Sequence, residues 1–118
     1  MVDDLALMRD QRAICEREAV AFDPPSLEQL CAVSVGVYEG ELAHGVRYHA
    51  PPHMSGWYVT TDRYDGDVHS LIVEHVRHLV ERRPDIAPLL ALPPGYRFTS
   101  DGTLMDVRFD DAVANAGS

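Results

Sequence analysis

The sequence predicts an α+β fold: a mostly antiparallel sheet with an N-terminal helix and one long amphipathic helix packed on it. Three observations predict it. Residues 3–21 and 67–83 carry helical composition or periodicity. Short runs rich in β-branched and aromatic residues lie between and after them. The last two runs flank Asp101-Gly102, a hairpin signal, and nowhere does the order follow regular βαβ alternation.

Residues 3–21 lack Gly and Pro and are rich in Leu, Ala, Met, Arg and Glu, which favours helix. Leu5, Met8, Cys15, Ala19 and Phe22 fall near one face, interrupted by Arg12. Asp23-Pro24-Pro25 ends the element, and Ser26 is placed to cap one further turn through Leu30. Cys31 to Val37 is apolar enough for a central strand. Val46 to His49 is a short strand between Gly45 and Pro51-Pro52. Trp57 to Thr61 is a third strand.

In the second helical segment Val68, Leu71, Ile72, His75, Val76, Leu79 and Val80 make one apolar stripe, with Asp67 or Ser70 as cap and Pro84 as stop. The position of His75 on that stripe predicts a hydrogen-bonded histidine at the margin of the core. Asp85 to Leu92 allows one short turn. Tyr96–Phe98 and Leu104–Phe109 are the arms of the hairpin.

A chain of 118 residues is the size of one domain. The reading divides it into an N-terminal helical region at 1–25, a core at 29–111 and a flexible tail at 112–118. No apolar run approaches the ~20 residues that span a bilayer. The opening Met1-Val2-Asp3-Asp4 lacks the basic, then apolar, pattern of a secretory signal. Cys15 and Cys31 are too few for a disulfide scaffold and read as buried thiols in a reducing compartment, so a cytoplasmic location is expected.

Ten arginines and no lysine face nineteen carboxylates, for a net charge of −9. The segments 1–30, 31–66 and 84–118 are all acidic, and only 67–83 is balanced. Nucleic-acid and anionic-membrane binding need clustered positive charge, which is missing; a basic partner would be attracted.

Catalytic and metal patterns fail on spacing. His44, His49 and His53 lie close together, but Pro51-Pro52 forbids the helix that would align the last two. The run Asp62 to Asp67 has Tyr64 and Val73 where a calcium loop needs acids. Cys31 lies in a buried strand and Ser55 lacks the nucleophile-elbow pattern. No catalytic residue, metal or cofactor is therefore assigned. What stands out is His44–Asp67, where Tyr, Trp and Arg, the residue types of binding hot spots, concentrate in a loop-rich stretch.

That stretch also carries a resemblance. Gly45-Val46-Arg47-Tyr48-His49, followed by Pro51-Pro52-His53-Met54-Ser55-Gly56-Trp57, resembles the signature of a bacterial immunity-protein family, the one numbered thirty-three, formerly a domain of unknown function. Leu30 to Ser34 is similar to its opening strand. Leu92-Pro93-Pro94-Gly95-Tyr96-Arg97-Phe98 and Asp106-Val107-Arg108-Phe109 resemble its closing part. Val59-Thr60-Thr61 departs from the more aromatic and acidic run of many members.

The resemblance covers 29–111. It implies a non-catalytic cytoplasmic protein that binds and neutralises a cognate toxin of a polymorphic toxin system. On this reading Tyr58, Arg63, Tyr64 and Asp65 contact the partner, a basic toxin, and Ser55, Gly56 and Trp57 form a structural motif. The alternatives are a small homo-oligomer, dimerising through the helix at 3–21, and a metal-binding enzyme built on His49 or His53.

Overall fold

The computed structural model describes residues 3–116. Helix α1 (Asp4–Glu18) leads into strands β1 (Leu30–Val33), β2 (Ala43–Arg47) and β3 (Met54–Thr60). A 3-10 turn (Val68–Ser70), strand β4 (Ile72–His75) and helix α2 (Val76–Arg82) follow. A second 3-10 turn (Ala87–Ala91), β5 (Tyr96–Ser100), β6 (Met105–Phe109) and a short α3 (Asp111–Asn115) complete the order. The six strands form one mixed sheet in the order β4-β1-β3-β2-β5-β6. Pairing of β1 with β3 is parallel and the other four pairings are antiparallel.

One face of the sheet builds the core. Cys31 and Val33 of β1, Trp57 and Val59 of β3, Ala43 of β2 and Phe98 of β5 cluster there. Ile14 of α1, Val76 and Leu79 of α2, and Leu89 and Leu90 of the second 3-10 turn join the same cluster. Gly45 is required where β2 passes the Phe98 ring, because a Cβ there would lie 2.0 Å from Phe98 Cε2.

Three expectations need correction. The expected long helix at 67–83 is a 3-10 turn, a strand and a seven-residue helix. Its apolar stripe fits a helix, but β1 needs a hydrogen-bonding neighbour on its outer side. Cys31 and Val33 are fully buried there, so their backbone groups must be paired. Glu74 and Ile72 meet that need in antiparallel register. Asp67 then caps only the 3-10 turn, through His69 N–H. Helix α2 starts at Val76 because the loop before β1 satisfies its first amides: Val76 N–H donates to Gln29 O at 2.8 Å and Arg77 N–H to Leu27 O at 2.9 Å. His75, expected at the margin of the core, is exposed in β4.

Helix α1 stops at Glu18 and buries a different face from the expected one. Leu5 is 81% exposed and Met8 is also exposed, whereas Gln11, Ile14 and Cys15 are buried and Leu7 packs on the core. Polar Gln11 is at home there because its side-chain amide donates to Ala87 O at 3.3 Å. Finally, order continues past residue 111. Asp110 caps α3 through Ala112 N–H, and Val113 is buried.

Two buried arginines tie loops to the core. Arg83 donates to Val37 O and Glu41 O at 2.8 and 3.0 Å and forms a two-pronged pair with Asp85 at 3.0 and 2.9 Å. The hydrogen bonds from Arg83 hold the Asp85 carboxyl below the usual range. A lowered folded-state pKa means stability that is fully present above the ordinary carboxylate value and is lost as pH falls through the lowered one. Asp85→Asn should therefore be less stable than wild type at pH 7 and flatten the acid limb below about pH 4. Urea unfolding at pH 7, 4 and 3 measures both effects.

Candidate functional site

The Ser55-Gly56-Trp57 motif is a junction of the fold. Ser55 Oγ donates to Leu30 O at 2.8 Å and accepts from Trp57 N–H at 3.2 Å, joining β3 to the start of β1. Gly56 has φ +87°, and a Cβ there would lie 2.0 Å from Tyr48 O, so only glycine fits beside the end of β2. Trp57 is 1% exposed, donates from Nε1 to Leu90 O at 2.8 Å, and packs against Phe98 at 5.3 Å.

Arg47 completes this junction. It is buried and its guanidinium reaches four backbone carbonyls: Ser55 at 2.9 Å, Asp23 at 2.6 Å, Leu92 at 2.8 Å and Leu90 at 3.4 Å. Its charge lies 5.7 Å from the Trp57 ring centroid. Burial pulls its pKa down, and the nearby Asp23 opposes that shift. Arg47 thus holds the loops at 23 and 90–92 against β2 and β3.

The opposite face of the sheet presents the residues that alternate with these. Across the strands one row reads Val73, Ala32, Tyr58, Val46, Arg97, Arg108. A shorter row reads Thr60, His44, Thr99, Asp106. Tyr58, the centre of the first row, is 37% exposed and meets Tyr48 edge-to-face at 5.6 Å. A shallow hollow of about 320 Å³ lies beside the pair, lined in part by Pro51, Met54 and Gly56.

Of the expected contact residues, Tyr58 lies on this open face. Tyr64, half-buried, follows in the loop after β3; burial first, then the charges of Asp65, Asp67 and Tyr58, raise its pKa. Asp65 is exposed and accepts from Asp67 N–H. Arg63 does not join them. It turns to the β1–β2 loop, bonding Glu41 at 2.6 Å with Glu39 at 3.6 Å. Tyr48, Val46 and Val73 were missed as members of this face. Alternation alone would have paired Tyr58 with Val46 once the register of the hairpin was known.

Arg63 pairs with Glu41 and Glu39 of the β1–β2 loop, and Asp62, Asp65 and Asp67 belong to the loop after β3. His44 bridges the face to the loop, contacting Thr99 Oγ1 at 3.2 Å and Asp62 Oδ1 at 2.9 Å. His49 and His53 are exposed, and no group of three or more His, Cys, Asp or Glu among the described residues is placed to hold a metal ion. Cys31 is fully buried, and burial pushes its thiol up to about 12, far from a reactive thiolate. Among the described residues no helix is long and apolar enough to cross a membrane.

Among curated proteins and solved structures nothing matches the chain significantly. A family model, the Imm33-like domain, matches residues 10–110, from within α1 to the end of β6. It spans the junction built by Arg47 and Trp57 and the whole of the open face, and the chain belongs to the Imm33-like domain family of immunity proteins.

Proposed function

We propose that this chain is a non-catalytic immunity protein that binds a cognate toxin in the cytoplasm and neutralises it by occupying its surface. Membership of the Imm33-like family across 10–110 is the observation that carries the reading. The contact region is the open sheet face centred on Tyr58, with Tyr64 and Asp65 of the adjoining loop. Exposed Tyr58 beside half-buried Tyr48, with Asp62, Asp65 and Asp67 in the adjoining loop, suits a partner of basic character. The net charge of −9 steers such a partner toward the chain. Arg63 contributes at the margin, through the carboxylates it organises. Ser55, Gly56 and Trp57 act beneath the surface, by fixing the strand that carries Tyr58.

The test is capture of the toxin by the tagged protein from its native lysate, followed by rescue of toxin-arrested growth on co-expression. Alanine at Tyr58, Arg63 and Tyr64 together should weaken toxin binding by about a hundredfold while the variant remains folded. Unchanged affinity would remove these residues from the interface. Failure to capture or to rescue against every toxin encoded beside the gene would remove the neutralising role.

A further inference from the structure

We infer that the free edge of β4 is a docking site at which a basic, extended segment of the partner adds a seventh strand to the sheet. This inference names the binding mode of the partner and rests on the immunity reading for its biological role.

The two edges of the sheet differ. Strand β6 carries Asp106 and Arg108, paired at 2.9 Å, and such charges discourage edge pairing. In strand β4 the one carboxylate, Glu74, is half-buried and accepts from the Tyr38 hydroxyl, so it does not guard the edge. Leu71, Ile72 and Val73 are uncharged, contain no proline, and Ile72 and Val73 are each 56% exposed. Val68, just before the strand, is also exposed.

The register identifies the backbone groups on offer. Val76 N–H donates to Gln29 O, so in β4 residues 72 and 74 direct their N–H and C=O groups toward β1. By alternation Val73 directs both its groups outward and His75 its N–H, while His75 C=O, at the N-cap of α2, accepts the first bond of that helix. An added strand would find these outward groups, and its side chains on one face would continue the row that begins Val73, Ala32, Tyr58. Val73 at the edge and Tyr58 thus share one face of the sheet, on either side of the buried Ala32.

Charge selects the occupant. The loop that delivers the chain to β4 carries Asp62, Asp65 and Asp67. A second copy of this chain would bring the same carboxylates and another −9 to the edge. An extended segment bearing arginine or lysine on alternate residues meets them with the opposite sign. Main-chain bonds would supply affinity and the alternate side chains specificity.

The experiment uses the labelled full chain and a synthetic peptide, Thr-Arg-Val-Arg-Val-Arg-Thr, followed by NMR. The amides of Val73 and His75 should shift and become protected from exchange. The same peptide with alternate backbone amides methylated keeps its charge and should bind about tenfold more weakly. His75 has φ −66°, which a proline ring adopts without strain, and its N–H faces away from β1. His75→Pro should therefore fold as wild type and lose about tenfold in peptide affinity, whereas His75→Ala, which keeps the N–H, should bind as wild type. Val73→Glu, which adds charge at the edge and leaves the backbone alone, is the second variant; it should displace the signals of the bound strand.

Equal binding by His75→Pro and His75→Ala would overturn the inference. So would shifts confined to other surfaces, no binding at millimolar peptide, or a wild-type dimer abolished by His75→Pro, which would make a second copy the occupant. A captured toxin that binds His75→Pro unchanged would remove edge docking and leave neutralisation standing. Absence of any toxin would remove neutralisation and leave the peptide result intact.

Discussion

Arg47→Ala is expected to destabilise the fold by about 3–5 kcal/mol. The side chain is buried and serves four carbonyls from three parts of the chain. Leu90 O keeps a partner in Trp57 Nε1, but Ser55 O, Asp23 O and Leu92 O lose the guanidinium. The orphaned buried carbonyls of Ser55 and Leu92 cost about 1–3 kcal/mol each, reduced where water enters the vacated space, whereas exposed Asp23 turns to solvent. Whole domains are stable by only about 5–15 kcal/mol, so the loss takes a large share of the total. Arg47→Lys should rescue little, because an ammonium has three donors on one atom and cannot span the planar fork. Urea unfolding followed by circular dichroism measures all three proteins. A loss below about 1 kcal/mol would show that water replaces the guanidinium without strain.

Trp57→Ala should have a comparable effect, about 3–5 kcal/mol. It empties the middle of the core, removes the contact with Phe98 and takes one of the two donors from Leu90 O. Trp57→Phe should recover part of the packing and none of the hydrogen bond. Trp57 is the chain's single tryptophan, so unfolding must again be followed by circular dichroism. Arg47 and Trp57 share an acceptor and touch each other. The double variant should accordingly lose less than the two single losses combined, with a coupling of about 0.5–3 kcal/mol. Strict additivity would separate the two residues energetically.

Much of this architecture is legible in the sequence. Asp101 lies between two apolar runs, and its carboxylate accepts from Thr103 and Leu104 N–H at 2.8 and 2.6 Å, closing the turn that Asp101-Gly102 announces. Trp57 to Thr61 has the composition of a strand and lies mostly in β3, which ends at Thr60. The N-terminal helix is equally plain, yet its buried face was not. The apolar Leu5 and Met8 lie outward, and Gln11 lies inward because a carbonyl 76 residues away receives its amide. The helical reading of 67–83 failed for a related reason. A stripe at Val68, Leu71, Ile72 and His75 is also compatible with a turn followed by a strand. What decides between them is the unpaired backbone of Cys31 and Val33, a need that appears only after β1 is in place.

The candidate site divides in the same way. Tyr58 next to Trp57 announces one residue in and one out, and the strand delivers that. Arg63 and Tyr64 are neighbours in sequence and part in space, because Glu39 and Glu41 draw the arginine to another loop. Buried Arg47 looks in sequence like a contact residue. Only the convergence of four carbonyls reveals it as a part of the core.

The alternation along β2 and β3 has an evolutionary consequence. On each strand the positions that build the core, Ala43, Gly45 and Arg47 or Trp57 and Val59, are interleaved with those that face outward, His44 and Val46 or Tyr58 and Thr60. The two sets are separable by a single residue step. Every second letter of these strands can therefore be rewritten, and the exposed surface with it, while the intervening letters keep the protein folded.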